Sequence, residues 1–208
     1  MMTRLTLIAL TLLLGAAWAT FNRRFAPSDS APKITVQNRS SMNQVADLEW
    51  TLVKEASHLL LEYRITNRSQ ARFYLSDQLP VSEGKSWGVA DKAVIVSNDA
   101  EAGTVRFSRG RVASVTPLPF LVDPGARAID PGQTLTGSAL VNLPISAWHY
   151  RGQTAAIKTP PQWAVLEIGY LTSANWQELP LATGGKLTIS QPSDPMSVLR
   201  SQRIAIPK

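Results

Sequence analysis

Gly84-Lys85-Ser86-Trp87-Gly88 has the G-x-S-x-G spacing in which a tight strand-to-helix turn exposes a serine nucleophile beside backbone N–H donors. Such a serine needs a histidine base and a carboxylate to orient it, and His149 with Asp123 or Asp130 supplies those types downstream. The flanks do not supply the elements. Pro80 stands before the motif and residues 90–96 are β-prone, so neither an entering strand nor a following helix is evident around Ser86. Ser82-Glu83-Gly84-Lys85 also fits S-x-x-K, a motif that works at a helix start with further sequence elements that are not found here. A serine hydrolase using Ser86 and His149 is therefore the alternative reading, and a Gly-rich surface loop the leading one.

Other catalytic sets are thinner still. His58 and His149 are the only histidines, with no H-x-H or H-x-x-x-H spacing, and there is no cysteine, so no metal and no cofactor is expected. The fifteen acidic residues are dispersed, with Asp47/Glu49 and Asp99/Glu101 as the close pairs. A glycosidase needs two carboxyls some 5–10 Å apart across a cleft, a distance that sequence spacing does not give. Asn38-Arg39-Ser40 and Asn67-Arg68-Ser69 are glycosylation sequons that read equally well as polar turns.

Residues 144–163 make the best binding candidate. They interrupt the strand pattern for longer than the roughly 12–15 residues beyond which connections are usually functional or disordered. Within them lie Trp148, His149, Tyr150, Arg151, Lys158 and Trp163. Large aromatics beside cations suit stacking on a sugar ring or packing on a protein partner, because they bury much area at little entropic cost. The competing role is structural: Trp148 and Tyr150 plug the open end of a sandwich and Trp163 starts the next strand.

The elements that must position these groups are strands. Period-two alternation dominates from Asp47 onward: Leu48, Trp50 and Leu52 share one face, as do Leu59, Leu61, Tyr63 and Ile65. Turn chemistry at Asn67-Arg68-Ser69-Gln70 predicts an antiparallel hairpin with the next alternating run, Ala71, Phe73 and Leu75. Further strands are expected over residues 92–96, 104–108, 112–115, 134–143, 164–171 and 186–190, with an edge strand or extended segment over 118–122. Asp130-Pro131-Gly132-Gln133 is a strong turn. Only residues 195–202, preceded by Asp194 as a cap, read as a helix.

Residues 5–21 form an apolar run behind Arg4, with the small-x-small site Ala17-Trp18-Ala19 near its end. At seventeen residues the run is shorter than the ~20 a spanning helix needs, so a cleaved export signal is expected, with an uncleaved inner-membrane anchor as the alternative. The formal net charge of +6 would draw the protein toward anionic membrane surfaces in peripheral contact. Scatter of the basic residues and the export signal argue against nucleic acid.

The strand ending at Asn67 with Arg68-Ser69 after it, and Ile129-Asp130-Pro131-Gly132-Gln133 running on to Leu143-Pro144-Ile145, resemble a pattern in uncharacterised bacterial exported proteins with immunoglobulin-like sandwiches. The resemblance covers residues 47–150 and implies fold class and envelope location; it transfers no site residues. The expected protein is thus all-β, an immunoglobulin-like antiparallel β-sandwich of about nine strands. It comprises a signal peptide (1–19), an extended spacer with a first short strand (20–46), the sandwich (47–191), and a C-terminal helix and tail (192–208). The expected role is non-catalytic binding of a protein or glycan partner in the periplasm or outside the cell. Strand addition of an extended peptide to a sheet edge such as 118–122 is a further alternative.

Overall fold

The computed structural model describes residues 34–38, 45–84, 86–110, 123–148, 156–157, 160–191 and 194–208, which all fall in one unit running from Pro32 to Lys208. The expected leader, most of the spacer, and the segments at 112–115 and 118–122 lie outside the described residues. Among the described residues no helix is long and apolar enough to cross a membrane.

The chain is all-β. In order come β1 (Ile34–Asn38), β2 (Ala46–Lys54), β3 (His58–Asn67), β4 (Phe73–Gln78), β5 (Pro80–Glu83), β6 (Ser86–Val89), β7 (Ile95–Asn98) and β8 (Thr104–Arg109). They are followed by β9 (Gly125–Ile129), β10 (Thr134–Asn142), β11 (Trp163–Leu171), β12 (Gln177–Pro180), β13 (Lys186–Ile189), β14 (Ser197–Arg200) and β15 (Ile204–Ala205). Four strands form one sheet in the order β1-β2-β3-β10. A second sheet runs β12-β13-β9-β4-β11-β8-β7, with β14 and β15 also on β11, and β5-β6 is a separate hairpin.

Alternation explains how the sheets meet. On β2 and β3 the residues Leu48, Trp50, Leu52, Leu59, Leu61 and Ile65 are at most 1 % exposed, while Glu49, Glu62 and Arg64 between them face solvent. Phe73, Leu75, Val105, Phe107, Ile129, Leu166 and Ile168 of the second sheet join them in one apolar cluster. Burial of these faces, at about 25 cal/mol per Å² of apolar area, is the main force holding the sheets together.

Two of the chain crossings between the sheets meet at one corner, and the first corrects an expected connection. The turn after Asn67 does not close a hairpin: β3 belongs to the first sheet and β4 to the second. The Asp130–Gln133 turn forms as predicted, with Gly132 at φ +76° and Gln133 N–H donating to Asp130 C=O at 3.0 Å, but it too passes between sheets, from β9 to β10. Asn67, fully buried, pins both crossings. Its Nδ2 donates to Ala71 and Ile129 carbonyls at 2.9 Å each, and its Oδ1 accepts from Ser69 N–H at 2.9 Å and Ser69 Oγ at 2.7 Å. Its main chain donates to Gln133 C=O and accepts from Gly132 N–H, each at 2.9 Å. The polar turn expected at the Asn67 sequon is therefore what forms, and the amide is occupied on both N–H bonds.

The expected C-terminal helix is also corrected. Ser197–Arg200 is strand β14, registered antiparallel against Glu167–Tyr170 of β11. Asp194 caps no helix; its carboxylate accepts from Gln191 N–H, Asn175 N–H and Asn175 Nδ2, each at 2.9 Å, and folds the chain back toward β11. Unpaired backbone groups along β11 outweigh the helical preference of a short segment, since a lone helical turn is costly to nucleate. Finally, β8 pairs with β11 in parallel over Trp163–Ile168, so the second sheet is mixed rather than wholly antiparallel.

Replacing Asn67 by Ala should strand the Ile129 and Ala71 carbonyls and the Ser69 N–H in a buried corner. A loss of about 3 kcal/mol in urea unfolding is expected on that count; a change within experimental error would show that the corner does not depend on the amide.

Candidate functional site

The sequence-derived contact residues divide between two places. Trp148 joins the outer edge of β7, with Val96 N–H donating to Trp148 C=O at 2.8 Å and Trp148 N–H to Val96 C=O at 3.0 Å. Trp163 opens β11 on the far side of the β7–β8 hairpin, opposite Thr104, and the Arg203 guanidinium lies 5.0 Å over its ring. Three strand spacings, about 14 Å across the sheet, and a further offset along β11 from Leu166 to Trp163 separate their backbones. Trp163 thus starts a strand, as its structural role required, and does not share a surface with Trp148. His149, Tyr150, Arg151 and Lys158 lie outside the described residues.

Trp148 is 39 % exposed and Leu140 40 %. Between them is a hollow of about 300 Å³ lined also by Ala93, Val94, Val96, Asn142 and Ser146. Among the described residues its lining carries no charge. Exposed aromatic and aliphatic side chains around a concave, neutral surface are the composition of a contact anchor. Leu140 is held there because its N–H donates to Lys92 C=O at 2.8 Å, which ties the end of β10 to the approach to β7.

The G-x-S-x-G segment is a strand–turn–strand. Gly84 takes the turn at φ +68°, and Ser86 Oγ donates to Glu83 C=O at 3.0 Å within the β5–β6 hairpin; Lys85 lies outside the described residues. His58 sits at the β2–β3 turn, with Nε2 2.7 Å from Glu55 Oε2 and Nδ1 3.3 Å from Ser57 Oγ. Among the described residues no group of three or more histidines and acids is arranged to hold a metal.

Two polar clusters escaped the sequence reading. The first is buried: Tyr63 Oη donates to Asp77 Oδ2 at 2.6 Å, Arg127 Nε donates to Asp77 Oδ1 at 2.9 Å, and Arg127 Nη2 also pairs with Oδ2. Arg109 adds hydrogen bonds at 3.2 Å to Tyr63 Oη and Asp77 C=O, and at 3.0 Å to Ser138 C=O. Burial, then the Asp77 carboxylate, pushes the Tyr63 phenol well above its ordinary range, while the hydrogen bond to Asp77 raises Arg127. The signal was present in the sequence, because Asp77 falls on the same strand face as Phe73 and Leu75. The cluster joins β3, β4, β8, β9 and β10, and its geometry is that of an inter-sheet tie. Gly137 makes room for it: a methyl group there would lie 2.2 Å from Tyr63 Cζ and Oη.

The second cluster absorbs the Asp99/Glu101 pair. Arg200 reaches both Asp99 oxygens at 2.9 Å and also pairs with Glu167, and Arg203 pairs with Glu101 at 2.8 Å. These contacts fasten the C-terminal strands to the β7–β8 turn. Burial pushes the Asp99 carboxyl up, but hydrogen bonds from Arg200 and from Glu101 N–H outweigh it and hold the group below its ordinary range.

Gly137→Ala should force Tyr63 off Asp77 and cost about 1–3 kcal/mol in chemical denaturation. For Asp99 the depressed folded value means that its stabilisation is present above the unfolded carboxyl range, near pH 4, and is lost as pH falls through the folded value. The thermal midpoint of the native chain should therefore drop more steeply below about pH 4 than that of Asp99→Asn. Parallel curves would mean that Asp99 is not preferentially charged in the fold.

No protein-family model matches this chain, and neither a curated protein nor a solved structure shows significant similarity to it.

Proposed function

We propose that the protein is an exported, non-catalytic binding module of the cell envelope. In this reading it is an immunoglobulin-like sandwich that residues 1–19 deliver across the inner membrane as a cleaved signal. The carrying observation is the neutral hollow between Trp148 and Leu140, two of the large apolar side chains left exposed among the described residues. Aliphatic walls from Val94 and Val96 beside an indole accept an apolar side chain, which favours a protein partner over a glycan. The apolar N-terminal run and its Ala17-Trp18-Ala19 site support export. The β-hairpin setting of Ser86, with its hydroxyl given to a main-chain carbonyl, supports a binding role over the hydrolase alternative.

A photo-crosslinking residue at Ser146, which lines the hollow, should yield a discrete protein adduct in the native compartment. Trp148→Ala and Leu140→Ser should each reduce that adduct at least tenfold, while shifting stability by no more than about 0.5 kcal/mol, as exposed positions do. Undiminished adducts in both variants, or a large loss of stability, would remove the hollow as the contact.

A further inference from the structure

The four-stranded sheet ends at β10, and the hydrogen-bond pattern shows which of its groups face outward. Asn67 N–H bonds Gln133 C=O and Leu143 N–H bonds Ser57 C=O, so odd-numbered residues face β3 and its flanks. Leu140 N–H bonds Lys92 C=O, so even-numbered residues face away. On that outer side Ser138 C=O is taken by Arg109. Among the described residues no hydrogen bond is made there by the main-chain groups of Thr134 and Thr136 or by the Ser138 N–H. Thr134 and Thr136 are exposed.

Among the described residues the strand's own sequence lacks the features that normally block strand pairing, and the one charge at the edge comes from outside it, where Lys92 Nζ donates to Ser138 Oγ. Its nine residues, Thr-Leu-Thr-Gly-Ser-Ala-Leu-Val-Asn, include no charge and no proline, and they pair with β3 without a bulge. The second sheet does protect its edges: β7 is closed by Trp148, and β12 carries Glu178 and Pro180. Arg109, anchored in the buried cluster and bonded to Ser138 C=O, holds the open half of β10 in place.

We infer that the outer edge of β10, over residues 134–138, is a strand-addition site for an extended, uncharged segment of a partner protein. Alternating free N–H and C=O groups along an extended backbone are complemented by another extended backbone. Thr134 and Thr136 offer small, exposed neutral side chains that set no charge requirement on it, and Lys92 on Ser138 Oγ bounds the site at its far end. A second copy of the chain is the poorer occupant, because copies with a net positive charge, +6 over the full sequence, repel each other. The site is independent of the Trp148 hollow and stands whether or not that hollow anchors a partner.

The test uses the full chain and decapeptides selected from a random displayed library. Thr136→Pro removes an outward N–H without touching a bond to β3, and Thr136→Lys places a charge on the edge; Thr136→Val keeps the backbone and adds no charge. Selected peptides should alternate β-branched residues and bind native chain, Thr136→Val and Trp148→Ala alike. Binding should fall at least tenfold with Thr136→Pro, with Thr136→Lys, and when alternate peptide amides are N-methylated. Failure to enrich any peptide, equal binding to Thr136→Lys, or tolerance of N-methylation would overturn the inference. Self-association of the chain that Thr136→Lys abolishes would also overturn it, by assigning the edge to a second copy.

Discussion

A single buried amide, Asn67, sits where the chain leaves one sheet for the other and where it returns. Sheet crossings are awkward because backbone groups must turn away from their ladders inside an apolar body, and each one left unpaired costs about 1–3 kcal/mol. Asn67 answers with donors to Ala71 and Ile129, acceptors for Ser69, and main-chain bonds to Gly132 and Gln133. No other uncharged side chain of that size offers both donors and an acceptor. Outside it, the Arg68–Asp47 and Arg72–Asp130 pairs lie on the exposed rim, where ion pairs contribute little.

The remaining ties build on that corner. Once β3 and β4 face each other, Tyr63 and Asp77 meet between the sheets, and Arg109 and Arg127 close around them. Gly137 is needed because the Tyr63 ring lies over it. At the opposite end the Arg200 and Arg203 pairs hold β14 and β15 on β11, which is registered against four other strands. Rigid edges follow from these ties. The hollow at Trp148 and the open side of β10 are both held from behind, the first through Lys92 and Val96 and the second through Arg109.

Local alternation made the first sheet legible: β3 was readable to the residue because Leu59, Leu61, Tyr63 and Ile65 alternate with polar neighbours, and the Pro131-Gly132 turn was equally plain. Long-range choices were not. Turn residues at Asn67–Gln70 specify a reversal but not whether the next strand joins the same sheet, and the parallel β8–β11 pair has no local signature. Asp194 looks like a helix cap because a carboxylate beside backbone N–H groups serves a loop in the same way. Of the candidate residues, Trp148 stood out by its aromatic context, whereas Asp77 was overlooked although its position on the Phe73–Leu75 face marked it as an inward charge. The edge of β10 could not be recognised until the sheet order was known.

Native-state amide hydrogen exchange on the full chain addresses the corner most directly. If Asn67 joins the two sheets into one cooperative body, the amides of Asn67, Ser69 and Gly132 should open only with the global transition, at the same free energy as those of Leu61 and Leu166. Corner amides that exchange several kcal/mol below the sheet interiors would contradict this, leaving the sheets as separately opening units and their edges without the rigidity that the proposed binding requires.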